Sequence, residues 1–163
     1  PASPGLQTVA EEGNVAPLTA ALLATPGVLD VTNSGALLDP GASVKIKVKA
    51  RGAFDHVSVA AMLIPTNDAF FAVNGARAPR GGAARVLTSV AYDAGSERND
   101  ELCTDIPGPF FDECGGPGGG AAPVGGEEGY VHVHAGIHGI GDLKAADRDW
   151  RNPVARITIR RVH

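Results

Sequence analysis

The stretch VSVAAMLIPTND, residues 57–68, is almost wholly apolar through Ile64 and then turns abruptly polar after Pro65 at Thr66, Asn67 and Asp68. Val57 to Ile64, apolar at every position but Ser58, has strand length, so it reads as a central strand buried on both faces. Working outward, Val44, Ile46 and Val48 alternate with Lys45, Lys47 and Lys49, the period of a half-buried strand. Phe70 to Val73 and Val86 to Tyr92 read as further strands. Near the end, Ala155, Ile157 and Ile159 alternate with Arg156, Thr158 and Arg160. Short strands separated by turns predict an all-β, antiparallel sandwich, and 22 Gly and 12 Pro in 163 residues supply the turns.

Helical signal is confined to the start. Ser3-Pro4 is an N-cap followed by Pro at the first helical position; Leu6, Val9 and Ala10 share a face, and Gly13 is a stop. Ala16-Pro17 opens a second short helix that ends at Pro26-Gly27. The length fits one domain spanning 1–163. A formal charge of −4 argues against a nucleic-acid partner, which needs clustered cations; the lysines above and Arg156, Arg160 and Arg161 read as solvated strand faces. No apolar run reaches the roughly 20 residues of a membrane helix. The chain opens at Pro1 with no leader-like stretch, so it reads as mature or trimmed.

Cys103 and Cys114 flank a turn-rich segment containing Pro107, Gly108 and Pro109. A disulfide here implies an oxidising, extracellular or periplasmic setting; two free thiols are the alternative, and no CxxC pair suggests zinc. Residues 115–126, GGPGGGAAPVGG, lack the Lys-Ser/Thr of a phosphate-binding loop and read as a flexible surface loop.

Two sets of residues carry candidate chemistry. Asp68, Asp93 and Glu97 sit in loops directly after strands, where carboxylates either cap strand ends or supply the oxygen ligands Ca²⁺ requires. Asn99, Asp100 and Glu101 extend that loop as further ligands or solvated residues. His132 and His134 alternate along a strand and so share a face, and the glycines around His138 allow its loop to fold back. Three imidazoles suit Cu²⁺ or Zn²⁺, with Asp142 orienting a ring or ligating; an ordinary surface His pair is the other reading. His56 and His163 are isolated. Asp147 and Asp149 beside Trp150 read as a helix-to-strand turn, and no GxSxG elbow supports nucleophilic catalysis.

Four segments, in order, resemble the spondin domain family. Residues 1–14 are similar to its AS-GL--LAE-G segment, Ala61 to Asp68 to its SFxxMxxPSPDW strand and loop, Ala91 to Glu97 to its PWDAGTD loop, and Val154 to Ile159 to its closing VARxxI strand. The resemblance, closest to the bacterial branch, implies a C2-like β-sandwich with Ca²⁺ held by three carboxylates, here Asp68, Asp93 and Glu97. Glu97 stands where the pattern has Asp, Ala69 where it has Trp, and the cysteine pair and glycine loop do not match. The family carries a strand before the first segment. That strand is not in this sequence, which implies either a trimmed chain or a strand supplied by a partner, the latter at an open sheet edge suited to strand addition or self-assembly. The expected function is a secreted Ca²⁺-binding module for an extracellular protein or matrix component rather than an enzyme. The alternatives are a copper/zinc protein or metalloenzyme at His132, His134 and His138, and a strand-exchanged assembly subunit.

Overall fold

A computed structural model describes residues 1–162; His163 lies outside the described residues. Helix α1 spans Pro4–Glu12. The Ser3 hydroxyl accepts from Leu6 N at 3.4 Å, and Gly13 ends the helix at φ 67, where its N–H donates to Val9 O. Helix α2 spans Ala16–Leu23 and buries no residue. Gly5 lets the two helices approach closely, since a Cβ there would lie 2.8 Å from Leu18 Cα.

The remainder is rich in antiparallel sheet. Strand β1 (His56–Met62) pairs with β2 (Ala69–Arg77), which pairs with β4 (Ala91–Asp93), which pairs with β7 (His132–Val133). Strand β3 (Arg85–Ser89) pairs with β8 (Ala155–Ile159) in a second sheet, and β5 (Phe110–Phe111) pairs with β6 (Gly116–Pro117). One continuous run, residues 85–93, leaves the second sheet and joins the first at Val90. The Ser89 hydroxyl holds that corner: it accepts from Ala72 N at 3.0 Å and donates to Ala72 O at 2.8 Å. Thus the single strand expected over Val86 to Tyr92 is two strands, in two sheets.

Two other strand expectations require correction. Val57 to Ile64 is not a central strand. It forms β1, at the edge of its sheet, with His56, Ser58 and Ala60 exposed and intervening residues half-buried; β2 and β4 are the interior strands. Val44 to Val48 forms no strand. Val44, Ile46 and Val48 remain 43–47% exposed, and the neighbouring tie is Lys49 N donating to Asp30 Oδ2 at 2.8 Å. Alternation sorts side chains onto faces, but a strand also needs a partner backbone, and among the described residues none pairs with this segment. Strand β8 alternates half-buried and exposed as expected.

Two apolar clusters hold these elements. Ala10 and Leu6 of α1 pack with Ala2, Phe70, Ala94 and Tyr92. Ile106, Phe111, Ile137 and Leu143 form the second cluster, with Ile64, Cys114 and Trp150 against it. This second core is built from loops, and Cys103 and Cys114 staple it as a disulfide with Cα atoms 5.5 Å apart. Beside it, helix α3 (Ala145–Arg148) sends Arg148 bidentately to Glu113 at 2.7 and 2.8 Å, which holds the Glu113 carboxyl down at about 2. Replacing both cysteines by serine should lower unfolding stability by about 3 kcal/mol in the chain-entropy account of a loop this short; urea denaturation of the double variant measures it.

The glycine-rich stretch is tied down in part. Gly119 N donates to Cys103 O at 2.9 Å and Gly120 N to Thr104 O at 3.1 Å. A Cβ at Gly118 would collide with Ile106 O, and one at Gly119 with Thr104 O. Close backbone approach is therefore a reason for glycine at these two positions, beside flexibility.

Candidate metal centre

The carboxylates Asp68, Asp93 and Glu97 lie where the start of β2, the end of β4 and the loop after β4 meet. The β2–β4 register sets Asp93 opposite Ala69, so Asp68 and Asp93 stand at the ends of adjacent strands. The turn before Asp68 is fixed by the Thr66 hydroxyl, which donates to Leu63 O and accepts from Ala69 N. Past Asp93, Gly95 adopts φ 65, and its open Cα face lies against the Tyr130 backbone, where a Cβ would collide. The loop consequently curls back, and Asp93 Oδ1 accepts from Gly95 N at 2.7 Å.

All three groups are withdrawn from water: Asp68 and Asp93 are 0% exposed and Glu97 5%. Asp68 Oδ2 is well served, accepting from Ser96 N at 2.7 Å, Glu97 N at 3.0 Å and Ser96 Oγ at 3.2 Å. Glu97 Oε1 accepts from Ala122 N at 2.8 Å. The other oxygens, Asp68 Oδ1 and Glu97 Oε2, are buried without any hydrogen-bond partner. No lysine or arginine among the described residues pairs with Asp68, Asp93 or Glu97; Arg98 turns instead to Asp100 at 2.7 Å and Asp105 at 3.7 Å.

The electrostatic consequence is uniform. Burial, then the charge of Asp93, push the Asp68 carboxyl up. Burial pushes Asp93 up despite the donors of Asn99 and Gly95. Burial, with Glu11, Asp68 and Asp105 nearby, pushes Glu97 up to about 7. A cluster of buried anions lacking its own cation is costly, and it is relieved by protons or by a bound cation. Glu97 also lines a cavity of about 200 Å³ with Glu11 and Glu127, an acidic approach for such an ion.

The histidines separate. His132 and His134 do face the same way, each with Nε2 3.9 Å from Asp93 Oδ2. His134, however, is a buried hydrogen-bonding residue. Its Nδ1 accepts from Gly136 N at 3.0 Å, which leaves the proton on Nε2 to donate to Asn99 Oδ1 at 3.0 Å. Burial pushes its pKa down, and Trp150 packs against the ring at 5.1 Å. His138 is 57% exposed and lies 3.9 Å from Glu101, and among the described residues it forms no set with His132 and His134 whose ligand atoms lie within 4.8 Å of one another. Asp142 accepts from Cys103 N at 2.9 Å and anchors its own loop. Asp149 accepts from Ile137 N at 3.1 Å. His56 pairs with Asp55 at the surface.

Among the described residues, the set whose ligand atoms all lie within 4.8 Å of one another is Asp93, Glu128 and His132; Asp68 and Glu97 stand outside it. Sequence reasoning passed over Glu128. Its signal was local, an acidic residue just before the His132 strand and across a glycine from it. Two further residues organise the site. Asn67 donates to Asp100 Oδ1 at 3.1 Å and Asp105 O at 3.3 Å, and accepts from Glu101 N at 3.4 Å. Glu101, at φ 57, is buried, and its carboxylate accepts three backbone N–H groups, from His138 at 2.6 Å, Gly139 at 2.7 Å and Ile140 at 2.9 Å. Comparison with family models, with curated proteins and with solved structures finds no match to this chain.

Proposed function

We infer that the chain is an extracellular binding module, a β-sandwich of the spondin kind, stabilised by Ca²⁺ at Asp68, Asp93 and Glu97. One observation carries the metal reading: Asp68 Oδ1 and Glu97 Oε2 are buried oxygens with no donor, in a cluster with no lysine or arginine partner. Oxygen-only ligands favour a hard cation, and Ca²⁺ tolerates the irregular, partly main-chain shells that loops provide. Asp68, Asp93 and Glu97 would hold it, which requires the loops to bring together ligand atoms that do not all lie within 4.8 Å of one another here. The chemistry the ion would supply is charge neutralisation, which would join the start of β2 and the end of β4 to the loop after β4.

The sandwich reading is supported by residues 85–93 crossing between two sheets at Ser89 and Val90, as strands do at sandwich corners. The disulfide is compatible with an extracellular setting. No helix is long and apolar enough to cross a membrane, among the described residues. The partner is an extracellular protein or matrix component, or a second copy added along the outer edge of β1, beyond which no strand is paired. Thermal unfolding tests the reading. The melting temperature should fall in chelator and recover with Ca²⁺, by about 2.7 kcal/mol of stability at a hundredfold excess over Kd. Asp68→Asn should abolish the response; a chelator-insensitive parent protein excludes the site.

A further inference from the structure

We propose a second metal site, for Zn²⁺, formed by Asp93 Oδ2, Glu128 and His132 Nε2. It shares Asp93 with the Ca²⁺ reading but stands on separate geometry. The ligand atoms of the three residues lie within 4.8 Å of one another. At 3.9 Å, His132 Nε2 and Asp93 Oδ2 are too far apart for a hydrogen bond, yet one ion about 2.0–2.2 Å from each bridges them with a small closure.

The imidazole is presented in the correct form. His132 Nδ1 faces the Tyr130 carbonyl at 3.3 Å, and a carbonyl only accepts, so the proton belongs on Nδ1. The Nε2 lone pair is then directed at the two carboxylates, the backbone-oriented arrangement common to histidines that ligate metals. The Tyr130 ring, 5.3 Å away, flanks the imidazole.

The carboxylates are positioned from behind. Asn99 Nδ2 donates to Asp93 Oδ2 at 2.6 Å and reaches Glu128 Oε1 at 3.4 Å, so one amide spans both acids. Asn99 is itself held by His134, which is held by Gly136 N. This chain explains why His134 sits beside the site without being a ligand: both its nitrogens are engaged. One nitrogen and two carboxylate oxygens suit Zn²⁺ better than Ca²⁺, which prefers an all-oxygen shell. His132 is half-buried and Glu128 exposed, so a fourth position opens to solvent for water or a donor from a partner.

Calorimetric titration of the chelator-treated full chain with Zn²⁺ tests the proposal, with Co²⁺ absorption as a second readout of an imidazole ligand. One Zn²⁺ per chain is expected. His132→Ala should weaken it on the order of a hundredfold and Glu128→Gln at least tenfold, the tenfold step being 1.4 kcal/mol. His138→Ala should leave it unchanged. Asp68→Asn should keep Zn²⁺ binding while removing the Ca²⁺ response, so either site can fail alone. Absence of Zn²⁺ binding by the parent chain, equal affinity in His132→Ala, or an equal loss in His138→Ala overturns the assignment.

Discussion

Glu101→Ala should destabilise the protein by about 3–4 kcal/mol, among the largest effects of a single substitution. The Glu101 carboxylate is the shared acceptor for the backbone N–H groups of His138, Gly139 and Ile140. Hydrogen bonds to a charged acceptor contribute about 1.5–3 kcal/mol each, and removing the acceptor leaves its donors unserved. The main chain is engaged as well: Glu101 O accepts from Asp142 N at 2.8 Å, and Glu101 N donates to Asn67 Oδ1. These bonds hold a non-glycine residue at φ 57, a conformation disfavoured unless the surroundings impose it. For a chain of this size the loss corresponds to a melting temperature about 10 °C lower. Glu101→Gln, which keeps the shape and loses the charge, should fall between. A change below 1 kcal/mol by urea denaturation in Glu101→Ala would show that the 138–140 loop is held by something else.

The second large effect is a pH-dependent gap between the Ca²⁺-loaded and chelated proteins. In chelator the carboxyls of Asp68, Asp93 and Glu97 are raised above their ordinary values, Glu97 from 4.5 to about 7. Acids raised by folding oppose the folded state when ionised, and the penalty disappears as pH falls and they protonate. Through these groups, the chelated protein gains stability between about pH 7 and pH 4.5. Bound Ca²⁺ requires the ionised forms, so its affinity weakens about tenfold per pH unit for each proton displaced below that pKa. His134, with its pKa pushed down by burial, acts oppositely, favouring the folded state less as pH falls. The gap should be wide at pH 7.5 and nearly closed at pH 5. A gap of constant size across that range would place the Ca²⁺ effect on carboxylates with ordinary pKa values.

What was legible in the sequence was what local chemistry decides. Ser3, Pro4 and Gly13 mark α1 because capping involves only neighbouring residues. Ala155 to Ile159 is a strand with the expected alternation because β3 supplies its partner. The short turn-rich spacing of Cys103 and Cys114 anticipated their pairing. What failed needed non-local information. Val44 to Val48 has a strand pattern but no strand beside it. Val57 to Ile64 has the apolarity of a central strand, yet the chain order places β2 inside it. In the site, Asp68, Asp93 and Glu97 were marked as a group by their positions after strands, and all three are buried. The histidine trio rested on alternation for His132 and His134 and on the glycines around His138, which allow its loop to fold back. Alternation placed His132 and His134 on one face correctly, but it carries no information about Gly136 N and Asn99, which occupy His134, or about Glu101 beside His138. Glu101, set in a run of polar residues, gave no sign that it would be buried.

The buried, unpartnered oxygens of Asp68 and Glu97 are proposed as ligands of one Ca²⁺. Calorimetric titration of the chelator-treated chain with Ca²⁺ at pH 7.5 tests this proposal most directly, on the parent protein and on Asp68→Asn and Glu97→Gln. One Ca²⁺ per chain is expected for the parent, with binding lost or weakened by at least about tenfold in each variant, a cost of at least 1.4 kcal/mol. Parent-like Ca²⁺ affinity in both folded variants, or no Ca²⁺ binding by the parent, would contradict the account.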